Sequence, residues 1–266
     1  MKTLLLSIFC CTVLHVSAQK LPTVQKANIH APAQVKTDGK ATEWGPLRAY
    51  NKATNIFYTV ANDQQRLYLT VQASDRKIIT KIVNGGLAFS VNKSSKKLDA
   101  DAMTICYPMF DKKNRPQLDL DGETSTAANP QELSRKVDSI AALNNDRMVA
   151  KMKWIKVNGI SGLDTVSIYN EDGIKAVSLI DSKMVYTYEL AIDLKNLGLS
   201  PVKGQKFYYN IKLNGIPQNE TPGMSVATGP DGETTAFVVT NPRLALGYTE
   251  SWTPTDLWGE YQLVGK

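Results

Sequence analysis

The chain has 266 residues, 42% of them hydrophobic, and a formal net charge of +6. That is apolar material for a packed fold and too balanced a charge for nucleic acid to be the main partner. The basic residues are scattered, and the densest cluster, Lys93-Ser94-Ser95-Lys96-Lys97, reads as a solvated turn.

Met1-Lys2-Thr3 carries one positive side chain and is followed by an apolar run from Leu4 to Leu14, then by Val16-Ser17-Ala18. This order predicts a cleavable signal peptide over residues 1–18, cut before Gln19, and export to a periplasm, an outer surface or the medium. The apolar run is shorter than the roughly 20 residues a membrane-spanning helix needs, and no later segment approaches that length. Cys10 and Cys11 lie inside the run, with Ser7-Ile8-Phe9 offering no small residue just upstream, which disfavours a lipid anchor. Removal of the signal leaves Cys106 and His30 as the remaining cysteine and histidine. An intramolecular disulfide, a Ser-His-Asp triad and a histidine-rich zinc site are thereby excluded, and stability must come from the core.

Residues 19–34 are polar, carry Pro22 and Pro32, and are expected to form an extended leader before a domain over 35–266. A single sandwich suits that length, and two small domains would also fit. In Arg66 to Ala73, Leu67, Leu69, Val71 and Ala73 alternate with more polar residues, the period of a strand with one buried face. It is expected to pair with Ile56 to Val60 across Asn62-Asp63-Gln64-Gln65. Similar stretches follow at Leu87–Val91, Ala102–Tyr107, Met148–Val157, Val185–Ile192 and Lys206–Leu213, separated by Asn84-Gly85-Gly86, Asp172-Gly173 and Pro230-Asp231-Gly232. The expected fold is all-β, an antiparallel β-sandwich of jelly-roll type. One helix interrupts it within an insertion at about 108–147. Asn129-Pro130-Gln131-Glu132 has an N-cap oxygen, a proline at the first helical position and a glutamate at the third, and Leu133, Val137, Ile140 and Ala141 recur at helical spacing over about 130–143.

Asp38-Gly39-Lys40-Ala41-Thr42-Glu43-Trp44 resembles the opening of family 9 carbohydrate-binding modules and related DOMON-like β-sandwiches, which begin Asp-Gly-Lys-x-x-Glu/Asp-Trp. Tyr58 to Asp63 with Leu67 to Val71 is similar to the first hairpin of that family, with Asp75 closing it. Glu189-Leu190-Ala191-Ile192-Asp193 is similar to its Glu-x-x-Ile-Pro strand, with aspartate in place of proline, and Trp258 to Leu263 to its closing strand. The resemblance brackets residues 35 to 263 and departs in the 108–147 insertion. It implies a non-catalytic module that holds a polysaccharide or oligosaccharide between two aromatic walls, with structural Ca²⁺ as a frequent accompaniment. The same sandwich could instead serve as a surface or periplasmic domain that holds a protein partner.

Sugar recognition needs flat apolar rings for the C–H face of a pyranose and polar groups for its hydroxyls. Of the four tryptophans, Trp44 and Trp258 lie in the end motifs and read as core. Trp154 and Trp252 are the stacking candidates, because an indole in the loop from Thr249 to Pro254 or in a lysine-flanked strand is hard to justify by packing. Asn214, Gln218, Asn219, Glu220 and Arg243 are the candidate polar partners, against an ordinary surface role for each. Asp119, Asp121 and Glu123, beside Gly122, form a hard oxygen set suited to Ca²⁺, against a plain acidic turn. A glycoside hydrolase is the third reading. It would have only carboxylate pairs such as Glu189 and Asp193, which read as outward surface positions on one strand, and haem would lack an axial ligand pair.

Overall fold

The computed structural model describes residues 20–109, 115–120, 128–217, 220–221, 223–247 and 249–265. The expected signal peptide lies outside them. In chain order the elements are β1 (Ala49–Asn51), β2 (Ile56–Asn62), β3 (Arg66–Ala73), α1 (Arg76–Gly85), β4 (Leu87–Asn92), β5 (Met103–Met109), α2 (Pro130–Lys151), β6 (Trp154–Asn158), β7 (Thr165–Ser167), β8 (Ile174–Ile180), β9 (Tyr186–Asp193), β10 (Lys206–Leu213), β11 (Met224–Thr228), β12 (Thr234–Val239), α3 (Pro242–Gly247), α4 (Thr249–Trp252) and β13 (Thr255–Gln262). Among the described residues no helix is long and apolar enough to cross a membrane.

The alternating segments form the expected antiparallel sandwich. One sheet has the order β1-β2-β3-β9-β8 and the other β13-β10-β4-β5-β6-β7, while β11 and β12 form a two-stranded ladder. The first hairpin forms where expected, because Asp63 Oδ1 accepts from the backbone N–H groups of Gln65 and Arg66, both at 2.7 Å, and so closes the turn. Between the sheets lie Val60, Leu69, Val71, Leu190 and Ile192 from one side and Phe89, Ile105, Phe207, Ile211 and Tyr261 from the other, all nearly inaccessible to solvent. The Tyr58 and Tyr209 hydroxyls meet at 3.2 Å in this layer, their rings edge to face with centroids 6.3 Å apart. Gly259 makes room for that contact, since a Cβ there would lie inside the Tyr209 ring.

A second, smaller core covers the outer face of the five-stranded sheet. Trp44 and Leu47 pack on Ala61, Tyr68 and Ala191, with Ile29, Ala31, Val35 and Ala41 around them. The segment ahead of it is extended and tied down. The Gln25 side chain donates to Val60 O at 2.7 Å and accepts from Val60 N at 2.8 Å, replacing a strand neighbour. Ile29 O accepts from both Asn62 N and Tyr261 Oη, so residues 25–29 touch both sheets.

The helical content exceeds the single short helix expected. Asp75 does not close a hairpin but caps α1, its Oδ1 accepting from Lys77 N at 2.8 Å. Asn84-Gly85-Gly86 is the end of that helix. The inserted helix starts on the predicted cap, with Glu132 N donating to Asn129 Oδ1 at 2.9 Å. It runs eight residues past the expected end, so the strand expected from Met148 begins only at Trp154. It buries Ala141, Asn144 and Met148 and leaves Leu133 exposed. Packing on β8 sets this face: Asn145 donates to Ile180 O and accepts from Ile180 N, at 2.9 and 2.8 Å.

Candidate functional site

On β13, Leu257, Gly259 and Tyr261 point into the core, which turns Trp258, Glu260 and Gln262 outward. On its partner β10, Phe207, Tyr209 and Ile211 point inward and Lys206 and Tyr208 outward, while Asn210, on that outer face, is fully buried. Pairing sets Lys206 opposite Gln262, Tyr208 opposite Glu260 and Asn210 opposite Trp258. Because β13 is the edge of its sheet, the chain segment 22–28 runs beside it, with Gln262 N donating to Asn28 Oδ1 at 3.0 Å. Between strand and segment lies an open cleft of about 640 Å³, lined by Trp258, Lys26, Asn28, Lys96, Lys206 and Gln262 among others.

A buried amide shapes the loop that brings Lys96 to the cleft. Asn92, 1% exposed, accepts from Ser94 N and Ser95 N through Oδ1 and donates to Lys97 O and Asp99 Oδ1 through Nδ2. That network fixes the loop carrying Lys96, whose ammonium lies 5.8 Å from the centroid of the Tyr208 ring. The run read as a solvated turn therefore sends one lysine to the cleft wall. Lys206 Nζ is 3.3 Å from Glu260 Oε1, an exposed pair screened by water.

Trp44 is core, as expected, but Trp258 is only partly buried and faces the cleft. The alternation Leu257, Gly259, Tyr261, Leu263 was the signal for its outward direction; the glycine in an inward position hid it. Trp154 is half exposed on β6, opposite Met109 and Ser167. Trp252 is not on an open loop: it ends α4, is partly buried, and donates from Nε1 to Thr221 Oγ1 at 2.9 Å. Next to Thr221, Glu220 pairs with Arg115, whose Nη1 also donates to Glu220 O at 3.0 Å. The fold thus joins Trp252, Glu220 and Arg115, an arginine the sequence reading did not select. Asn214 Nδ2 lies 3.3 Å from Cys106 Sγ, and Arg243 is exposed on α3. Asn219 and Gln218 lie outside the described residues.

Of the calcium candidates, Asp121 and Glu123 also lie outside them. Asp119 is held through its backbone, N–H to Asn144 Oδ1 at 2.8 Å and C=O from Asn144 Nδ2 at 2.7 Å. Among the described residues no group of three histidine, cysteine, aspartate or glutamate side chains is placed to hold a metal ion.

Glu189 overturns its reading as an outward surface residue. It does face away from the main core, but the Asp38–Trp44 motif folds over it and leaves it 2% exposed. Its Oε2 accepts from Asp38 N at 3.0 Å and Gly39 N at 2.9 Å, and its Oε1 from Trp44 Nε1 at 2.9 Å. Burial pushes its carboxyl up to about 7, against the pull of these three donors. Its partner in a hydrolase reading, Asp193, is paired with Arg66 at 3.1 Å. This carboxylate fastens the motif to β9 and offers no open face to a substrate.

No family model matches the chain, and no curated protein matches it. Two solved structures of a family 9 carbohydrate-binding module from Caldicellulosiruptor kristjanssonii align with it, one in complex with glucose and one with cellotriose. The identities are 10% and 9%, the TM-score is 0.36 for both, and the alignments cover 91% of this chain and 97% and 95% of those chains.

Proposed function

We propose that this protein is an exported, non-catalytic binding protein that takes a polysaccharide or oligosaccharide in the cleft beside β13. The observation that carries this reading is the outward Trp258 in an open cleft that amide and lysine side chains also line, among them Asn28, Gln262, Lys26 and Lys96. An indole face suits the C–H face of a pyranose, and Asn28, Gln262, Lys26 and Lys96 supply donors and acceptors for its hydroxyls. Since Trp258 is held by a strand, the ring is positioned before ligand arrives, which lowers the ordering cost of binding.

Affinity gel electrophoresis against a panel of soluble glycans tests this. Retention by at least one polymer is expected, with a loss of about tenfold or more in Trp258→Ala, the scale of one large anchoring contact. Trp252→Ala and Trp154→Ala should retain binding. If either of these abolishes retention while Trp258→Ala does not, the cleft is the wrong site. The protein-partner reading gains if no glycan is retained and one stoichiometric protein copurifies instead.

A further inference from the structure

Three lysines from three separate parts of the chain line the cleft: Lys26 from the amino-terminal segment, Lys96 from the loop after β4, and Lys206 from β10. Each is delivered by a fixed element. Gln25, 5% exposed, bonds Val60 N and O and anchors the backbone beside Lys26. Asn92 folds the loop that carries Lys96, and the β10–β13 ladder sets Lys206. Against these three lysines, the described residues of the lining hold one carboxylate, Glu260, which is already paired with Lys206. Among these residues positive charge is therefore in excess beside Trp258, a local field that favours an anion in the cleft.

We infer that the cleft selects an acidic glycan, one whose sugars carry carboxylate or sulfate groups, over a neutral one. This rests on the glycan-binding reading above and names the substrate class for the same site. A ring seated on Trp258 places its equatorial substituents toward the walls, where Lys26 and Lys96 meet the anionic group. Ammonium groups act as point charges and accept either anion without demanding the bidentate geometry an arginine would impose.

The test measures the affinity of the purified protein for polygalacturonate, for dextran sulfate, and for neutral dextran and hydroxyethyl cellulose, at low and moderate salt. The first two separate carboxylate from sulfate as the recognised group. Binding to at least one acidic polymer is expected, weakening about tenfold between 50 and 300 mM NaCl as the charges are screened. Lys26→Gln and Lys96→Gln should each weaken it severalfold, and Trp258→Ala should abolish it. Trp258-dependent retention of neutral polymers alone overturns the inference and leaves the glycan-binding reading standing. Acidic-polymer binding that survives Trp258→Ala is surface adhesion and overturns both. So does failure to bind any polymer. Both lysines are exposed, so their variants keep the fold, which a melting curve verifies.

Discussion

At the scale of single residues, Glu189 shows how one side chain joins a local motif to the fold. Its three donors come from a turn and an indole some 150 positions earlier in the chain. Glu189→Gln keeps the shape but turns a donor toward either Trp44 Nε1 or the Asp38 and Gly39 N–H groups. The expected cost is about 1–3 kcal/mol, the range for leaving a buried polar group unpaired, read by urea unfolding. The pH dependence has a definite sign. Burial first, then the neighbouring Glu43, raises the folded carboxyl to about 7 from 4.5, against the hydrogen bonds from Trp44, Gly39 and Asp38. The folded state thus holds a proton that the unfolded state has released between those values. Its contribution is complete below pH 4.5 and declines as pH rises through about 7. Unfolding free energies at pH 5 and 8 should differ by less in Glu189→Gln than in the parent, and an equal difference would refute this. The Asp-Gly-Lys motif and the core position of Trp44 were legible in sequence. The burial of Glu189 was not, because strand alternation separates two faces and does not say whether a distant segment covers the second.

At the scale of elements, the first hairpin and the cap of α2 were legible and extents were not. Asp63 and Asn129 act through neighbours two and three residues away, so local chemistry identifies them. Helix α1 went unread because its cap, Asp75, also fits the end of a hairpin. Helix α2 buries the face that Val137, Ile140 and Ala141 mark, but carries it on through Asn144 and Met148 and leaves Leu133 outside, because its partner is the outer edge of a sheet. Asn145 fills the free hydrogen-bonding groups of Ile180 on β8, an edge strand that would otherwise present them unpaired. Asn145→Ala should destabilise the protein by about 1–3 kcal/mol in urea unfolding, for loss of both bonds at a buried backbone site. It should also speed amide exchange at Ile180 before that of Tyr188 in the interior strand β9. Unchanged exchange at Ile180 would mean that packing alone holds the helix.

For the whole molecule, the amino-terminal segment links the fold to the cleft. The sequence marks residues 19–34 as polar and proline-bearing, which predicts an extended path but not where it docks. Docking depends on Gln25 meeting Val60, and on Ile29 meeting Asn62 and Tyr261, contacts between residues far apart in the chain. Gln25→Ala removes the side-chain bonds to Val60 while leaving Gln25 N free to donate to Tyr58 Oη. The segment then detaches more readily, so trypsin should cut after Lys20 or Lys26 several times faster, in proportion to the population of the opened state. Lys26 and Asn28 would leave the cleft with it, although Trp258 stays in place on β13. Glycan affinity should accordingly fall severalfold in Gln25→Ala, with the melting temperature lowered by only a few degrees. Faster cleavage with unchanged affinity would show that the segment is a tether for the sandwich and contributes no wall to the site.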